Sequence, residues 1–221
     1  MKQFVIGDIH GRAEALLQCL ERSGFDYSSD QLICLGDVCD RGPAVKESFD
    51  ILLRIKNLIY VLGNHDKWFL DWVLKRNEDD FWQYHYGYQT INSYSGEDVP
   101  QQHIDLLTGA FEYYLVEDML FVHAGIIPFE SLKYQSDKIF LWDRDLVYEA
   151  WEKKDEQGAD KITQYKEVFV GHTPTNRPPF NSQVPVCLKG VCLMDTGAGV
   201  GGRLSIMDID SKVYWQSDVL Y

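Results

Sequence analysis

Three times within the first 76 residues a short apolar run ends in a polar, glycine-bearing loop and gives way to helical spacing. The runs lie at 3–6, 31–35 and 58–62, and the helical patterns at 12–22, 45–56 and 66–76. Short β-branched and aromatic runs predict buried strands, and 3.6-residue periodicity predicts helices that pack on them. Strand, loop, helix in this order is the grammar of a parallel α/β sheet, whose ligands sit at the carboxyl ends of the strands.

From Trp72 to Ala110 the pattern changes to aromatic and polar residues, among them Phe81, Trp82, Tyr84, Tyr86, Tyr88 and Tyr94. It has helical tendency and no strand signal, and predicts a helical cap or insertion beside the site. Strand signals return at 112–117, 119–123, 167–170, 184–188, 191–195, 203–208 and 212–216, with Lys189-Gly190 and Asp210-Ser211 as hairpin turns. The run "EKKDEQGADK" at 152–161 reads as a solvated loop or helix end. A chain of 221 residues suits one sizeable core, hence a single domain over 1–221 with the insertion at about 72–110.

Thirty-four acidic against twenty-one basic residues give a net charge of −13, which argues against nonspecific binding to nucleic acid or an anionic membrane. An anionic substrate would need a local reversal of the field, which bound divalent cations supply. The cysteines at 19, 34, 39, 187 and 192 form no C-x-x-C pair and are odd in number, so reduced thiols are expected. With no signal-type segment and no apolar stretch of membrane-spanning length, the expected location is cytoplasmic.

The loops after the apolar runs read "GDIHG" at 7–11, "GDVCDRG" at 36–42, "GNHD" at 63–66, "HAG" at 123–125 and "GHT" at 171–173. Four of the six histidines fall in them, which chance would not arrange. A single Asp, Asn or His in such a loop is more often a helix cap than a ligand. Together Asp8, His10, Asp37, Asn64, His123 and His172 form a set of oxygen and imidazole donors without thiolates, suited to manganese, iron or zinc with open positions. Six donors exceed the three usual for one catalytic ion, so two ions are expected, and Asp37 in the middle loop is the natural bridge.

These five ordered motifs resemble the phosphoprotein phosphatase branch of the calcineurin-like metallophosphoesterases, in particular its small bacterial and phage serine/threonine phosphatases, from Gly7 to about Gly202. The resemblance implies an α/β fold, a two-layer mixed β sandwich flanked by helices in four αββα layers. It implies two divalent metal ions, manganese foremost, with Asp8, His10 and Asp37 on the first and Asp37, Asn64, His123 and His172 on the second. The ions would make a shared water available as hydroxide for direct attack on phosphorus. His65 would be the general acid, Asp40 the carboxylate that holds it, and Arg41 and Arg144 the phosphate-binding arginines.

The implied reaction is hydrolysis of phosphoserine, phosphothreonine or phosphotyrosine in a protein or peptide. An alternative arises at "LGNHD", where the branch usually reads RGNHE: Leu62 and Asp66 are similar to the symmetrical diadenosine tetraphosphate hydrolases, which act on phosphorylated nucleotides. Those enzymes are noticeably longer, which places the protein phosphatase reading first. A silent binding module of the same fold is disfavoured by the complete ligand set.

Other features read more simply. Cys39 packs beneath its loop, and His85 and His103 are structural or exposed. The aromatic stretch 81–94 is core, with Tyr86 and Tyr88 the candidates for stacking on a substrate ring. Asp195-Thr196-Gly197-Ala198-Gly199 is a glycine-rich connection near the site, without the context of a P-loop. Thr173 fixes the loop of His172.

Overall fold

The computed structural model describes residues 1–75, 82–83, 86–158 and 160–220, so Phe81, Tyr84 and His85 lie outside the described residues. Strands β1 (Gln3–Ile6), β2 (Gln31–Cys34) and β3 (Asn57–Tyr60) run parallel, joined by helices α1 (Ala13–Ser23) and α2 (Val45–Leu52). Helix α3 (Asn64–Val73) follows β3. Two antiparallel strands from the end of the chain, β9 (Ser205–Asp208) and β10 (Tyr214–Gln216), complete the sheet in the order β10-β9-β1-β2-β3.

The second sheet contains β4 (Tyr113–Val116), β5 (Met119–Val122), β6 (Glu167–Val170), β7 (Val186–Leu188) and β8 (Val191–Leu193), in the order β4-β5-β6-β8-β7. Its centre, β5-β6-β8, is parallel and its edges are antiparallel. Between β3 and β4 come α4 (Tyr88–Ser93) and α5 (Gln101–Thr108), and between β5 and β6 come α6 (Asp137–Trp142) and α7 (Asp145–Glu152).

Alternate side chains of a strand face opposite ways, and the core follows that period. Phe4, Ile6, Leu32 and Cys34 pack with Ala15, Leu16, Cys19, Leu20 and Phe49 of α1 and α2. Val5 and Ile33 face the other sheet, where they join Phe121 and Phe169, rings stacked 4.9 Å apart. On the far side Leu120, Val122, Val168 and Val170 meet Phe140, Leu146, Val147 and Ala150 of α6 and α7. Three apolar layers therefore separate helices, sheet, sheet and helices, which is the expected mixed αββα sandwich. Among the described residues no helix is long and apolar enough to cross a membrane.

Two readings of the sequence are corrected. Helix α3 starts at Asn64 rather than at 66, so Asn64 and His65 belong to its first turn. The thiols are not all reduced: Cys187 and Cys192 form a disulfide, leaving Cys19, Cys34 and Cys39 free and buried. A tight turn at Lys189-Gly190, both with positive φ, sets β7 against β8 so that Cys187 lies directly opposite Cys192. That register brings the two Cα atoms to 4.0 Å, a proximity invisible to a search for C-x-x-C.

Candidate dinuclear metal centre

All five polar loops converge at one end of the two sheets. Asp8, His10, Asp37, Asp40, Asn64, His65, His123 and His172 are all buried, and Arg41 and Arg144 are half-buried. A cleft of about 150 Å³ is lined by Asp8, His10, Asp37, Asn64, His65 and His172, together with both arginines. The structure thus brings the ten expected site residues together, nine from loops or helix starts that follow strands and Arg144 from the turn between α6 and α7.

Asp37 occupies the middle. Its Oδ2 lies 3.8 Å from His10 Nε2, and its Oδ1 lies 3.5 Å from His123 Nε2. Two donor groups result, His10 with Asp37 and His65, and Asp37 with His123 and His172, each with ligand atoms within 4.8 Å of one another. Asp37 belongs to both, as a bridging carboxylate must. The His65 amide, an orphan donor of the first turn of α3, donates to Asp37 Oδ1 at 3.0 Å. The positive end of α3 thereby favours the ionised carboxylate.

The imidazoles are set for coordination by their other nitrogens. His10 Nδ1 donates to the Cys39 carbonyl at 2.8 Å and His123 Nδ1 to the Leu35 carbonyl at 2.7 Å. Each ring then turns a lone pair on Nε2 toward the centre. His123 Nε2 sits 2.9 Å from Asn64 Oδ1, two acceptors face to face, an arrangement that a shared cation relieves. Buried Nε2 of His172 has no hydrogen-bond partner.

Electrostatics agree with this fit. Burial, reinforced by the carboxylates of Asp195 and Asp37, pushes Asp8 well above the ordinary carboxylate range. Burial also pushes Asp195 up to about 6. Such a cluster of carboxylates in a low dielectric lacks positive charge. Burial lowers His10 to about 3 despite neighbouring Asp37, and it lowers His172 further still, so both rings are neutral as ligands require. Calcineurin-like phosphoesterases use a dinuclear metal centre, and these His and Asp groups could hold it.

His65 is treated differently. Burial alone would lower it, but the carboxylates of Asp37 and Asp40 outweigh burial and raise it. Its Nδ1 donates to Asp40 Oδ2 at 2.6 Å, leaving Nε2 beside the cleft with Arg41 Nη2 at 3.4 Å. Asp40 is in turn held from the 72–110 segment: Trp82 Nε1 donates to Oδ2 at 2.9 Å and the Thr90 hydroxyl to Oδ1 at 2.5 Å. The same hydroxyl accepts the Asp40 amide at 2.8 Å.

Asp66, one of the two residues that depart from RGNHE, is a fastener. It accepts the amides of Val38, Cys39 and Gly63 and the Tyr60 hydroxyl, tying the second and third loops together. Arg144 Nη1 donates to the His172 carbonyl and to Thr173 Oγ1 at 2.9 Å, so Thr173 does fix its loop. Cys39 is fully buried beneath the loop, with its thiol pushed well up by burial. His103 is buried and structural, between the Tyr94 hydroxyl and Asp50.

Local backbone conformation concentrates here as well. His10, Asp37, Asp40, Arg41 and His172 have φ between 48° and 67°, which costs an L-residue about 1–2 kcal/mol each. Such strain typically collects at functional sites. Glycine answers it where chains cross: a Cβ on Gly63 would lie 2.2 Å from Asp37 Oδ1. One on Gly199 would lie 2.3 Å from the His10 ring, which places the glycine-rich connection at the site edge.

Sequence reasoning missed Asp195, Trp82, Thr90, Trp68 and Trp142. Asp195 had a usable signal, because it comes directly after an apolar run and two residues before Gly197. Trp68 lies one helical turn from His65 and Trp142 two residues from Arg144, whereas Trp82 and Thr90 are brought to the site only by tertiary packing.

Residues 1–194 match the model of the calcineurin-like phosphoesterase family. A bis(5'-nucleosyl)-tetraphosphatase PrpE (asymmetrical) from Bacillus thuringiensis (strain Al Hakam) is 27% identical over 233 residues, covering 94% of this chain and 90% of its own. Among solved structures, a protein proposed to be a diadenosine tetraphosphatase superposes with a TM-score of 0.69 at 19% identity, over 97% of this chain and 92% of that one. A cold-active protein-tyrosine phosphatase of a psychrophile, Shewanella sp., does so with 0.68 at 17% identity, over 98% and 80%. With the match spanning most of its length, the chain belongs to the calcineurin-like phosphoesterase family.

Proposed function

We propose that the protein is a two-metal phosphohydrolase whose substrates are dinucleoside tetraphosphates, cleaved asymmetrically to a nucleoside monophosphate and a triphosphate. The observation that carries the chemistry is Asp37, whose two carboxylate oxygens face separate donor groups. The substrate class is supported by the Bacillus relative, which shares nearly the whole length of this chain. Chain length therefore no longer favours the phosphoprotein reading over the nucleotide one.

Asp8, His10 and Asp37 would hold one ion and Asp37, Asn64, His123 and His172 the other, with manganese the proposed metal for this oxygen and imidazole set. When bound, the pair supplies an activated water nucleophile and neutralises phosphoryl charge. Arg41 and Arg144 orient the phosphoryl oxygens from two sides of the cleft. His65 gives its Nε2 proton to the leaving oxygen, and Asp40 keeps the ring turned for that transfer.

A second reading comes from the two arginines: Arg41 and Arg144 are only half-buried and can hold a phosphoryl group whose remainder projects outward, as a phosphorylated side chain on a protein would. Turnover with manganese separates the two. Diadenosine tetraphosphate should yield ATP and AMP, with a kcat/KM above that for phosphopeptides and p-nitrophenyl phosphate. A tenfold preference for phosphopeptide, about 1.4 kcal/mol in barrier, would install the second reading. Two ADP would contradict the asymmetrical cut.

A further inference from the structure

The floor of the cleft is ionic, but one wall is aromatic, and its rings come from three separate parts of the chain. Trp68 stands on α3 one turn beyond His65, Tyr86 comes from the segment before α4, and Trp142 ends α6 two residues before Arg144. Tyr86 and Trp68 stack with centroids 5.5 Å apart and planes 15° from parallel, and Trp142 lies 5.0 Å from Trp68. The wall starts where the phosphoryl group ends: Trp68 and Tyr86 meet the His65 ring edge-on at 5.0 and 6.1 Å, and Trp142 meets His172 at 5.9 Å.

Packing accounts for Trp68, which is partly buried against the core beside Trp72, but not for Trp142 and Tyr86. Phe69, Trp82 and Tyr94 are fully inside the core, where Trp72 joins them. Tyr86 and Trp142 belong to none of the core clusters among the described residues and remain 44% and 42% exposed. Tyr88, the other tyrosine singled out from sequence, is 69% exposed and does not line the cleft. Exposed rings that border a charged site offer flat apolar surface to whatever the phosphate carries.

We propose that Trp68, Tyr86 and Trp142 form a stacking platform for the base of a nucleoside 5'-phosphate, with Trp142 giving the exposed ring surface. The proposal rests on the nucleotide reading above and refines it. A base lies a ribose's breadth from its 5'-phosphate, so a phosphate held by Arg41 and Arg144 leaves the base beside rings that border His65 and His172. Stacking of this kind contributes about 1–3 kcal/mol per base and tolerates any base, because each has a π face. Discrimination should therefore fall between nucleotides and phosphates without a base, not between adenine and other bases.

AMP and ribose 5-phosphate differ only in the base and are the probes. With p-nitrophenyl phosphate as reporter and manganese present, AMP should inhibit about 5- to 150-fold more tightly than ribose 5-phosphate. AMP should also quench tryptophan fluorescence where ribose 5-phosphate does not. Trp142→Ala should reduce the ratio of the two inhibition constants toward one, and Trp142→Phe should restore most of it. Equal inhibition by the two probes in the wild type overturns the platform, as does a ratio unchanged in both Trp142→Ala and Tyr86→Ala. The outcomes stay separable: cleavage of diadenosine tetraphosphate with a ratio of one sinks the platform alone. A high ratio without such cleavage sinks the substrate reading alone.

Discussion

Thr90→Val tests whether the 72–110 segment positions the general acid. The substitution keeps the shape of a fully buried side chain and removes one hydroxyl. That hydroxyl donates to Asp40 Oδ1 at 2.5 Å and accepts the Asp40 amide at 2.8 Å, so two buried groups lose a partner at once. A hydrogen bond to a charged group is worth about 1.5–3 kcal/mol, and an unsatisfied buried amide costs a further 1–3 kcal/mol or so. Taking about 3 kcal/mol in total, a chain of 221 residues should lose about 6–12 °C in Tm.

Stability alone would not separate a packing role from a positioning one, so kinetics are read beside it. Asp40 would keep only His65 Nδ1 and Trp82 Nε1 as side-chain donors and could turn from its present orientation. The imidazole turns with it, and proton delivery suffers most where the leaving group needs a proton. Below the new Tm, kcat on an alkyl phosphate should fall roughly tenfold more than on p-nitrophenyl phosphate, whose leaving group departs unaided. Thr90→Ser should behave as wild type. Equal losses on both esters, or a serine variant as damaged as the valine one, would refute the positioning role.

Replacing His65 by Asn should lower kcat by roughly 10²–10⁴ on a serine phosphate and much less on p-nitrophenyl phosphate, and equal deficits would remove His65 as the acid. Asp37→Ala should lose both activity and the paired ions, and two manganese ions per chain by elemental analysis would contradict bridging. Arg41→Ala and Arg144→Ala should each raise KM and weaken inhibition by inorganic phosphate. Only Arg144→Ala should also weaken manganese binding, because Arg144 holds the His172 loop, and identical metal affinity in the two variants would count against that coupling. Thiol titration of unreduced, denatured protein should find three of the five cysteines, since Cys187 and Cys192 are joined, and five would refute the disulfide.

Much of this site was legible in the sequence because one local pattern encodes two facts. An apolar run of four residues specifies a buried strand, and the glycine after it specifies a turn that exposes the next polar residue at the strand's carboxyl end. Asp8, Asp37, Asn64 and His172 follow that pattern, and His123 comes directly after its strand with the glycine two residues later, so the fold and the donor set come from the same reading. What was not legible depends on pairs distant in sequence. Trp82 and Thr90 reach Asp40 over separations of 42 and 50 residues, and Trp142 reaches Trp68 from another helix. Likewise nothing local in Asp37 or Arg41 demands a positive φ, and Cys187 meets Cys192 only through strand register.

The two kinds of information divide the site by physical role. The proposed ligands at strand ends are held in place by the sheets themselves, which are buried on both faces and little able to move. The stretch from Val38 to Arg41 lies further from β2, and Asp40 and Arg41 in it are left-handed and would relax if released. Its fasteners come from elsewhere: Asp66 takes the Val38 and Cys39 amides, and Thr90 takes the Asp40 amide. The proposed metal ligands and the proposed acid are therefore supported by different parts of the chain. Damage to the 72–110 segment should impair proton transfer before it impairs metal binding, whereas damage to β1 or β2 should abolish both together.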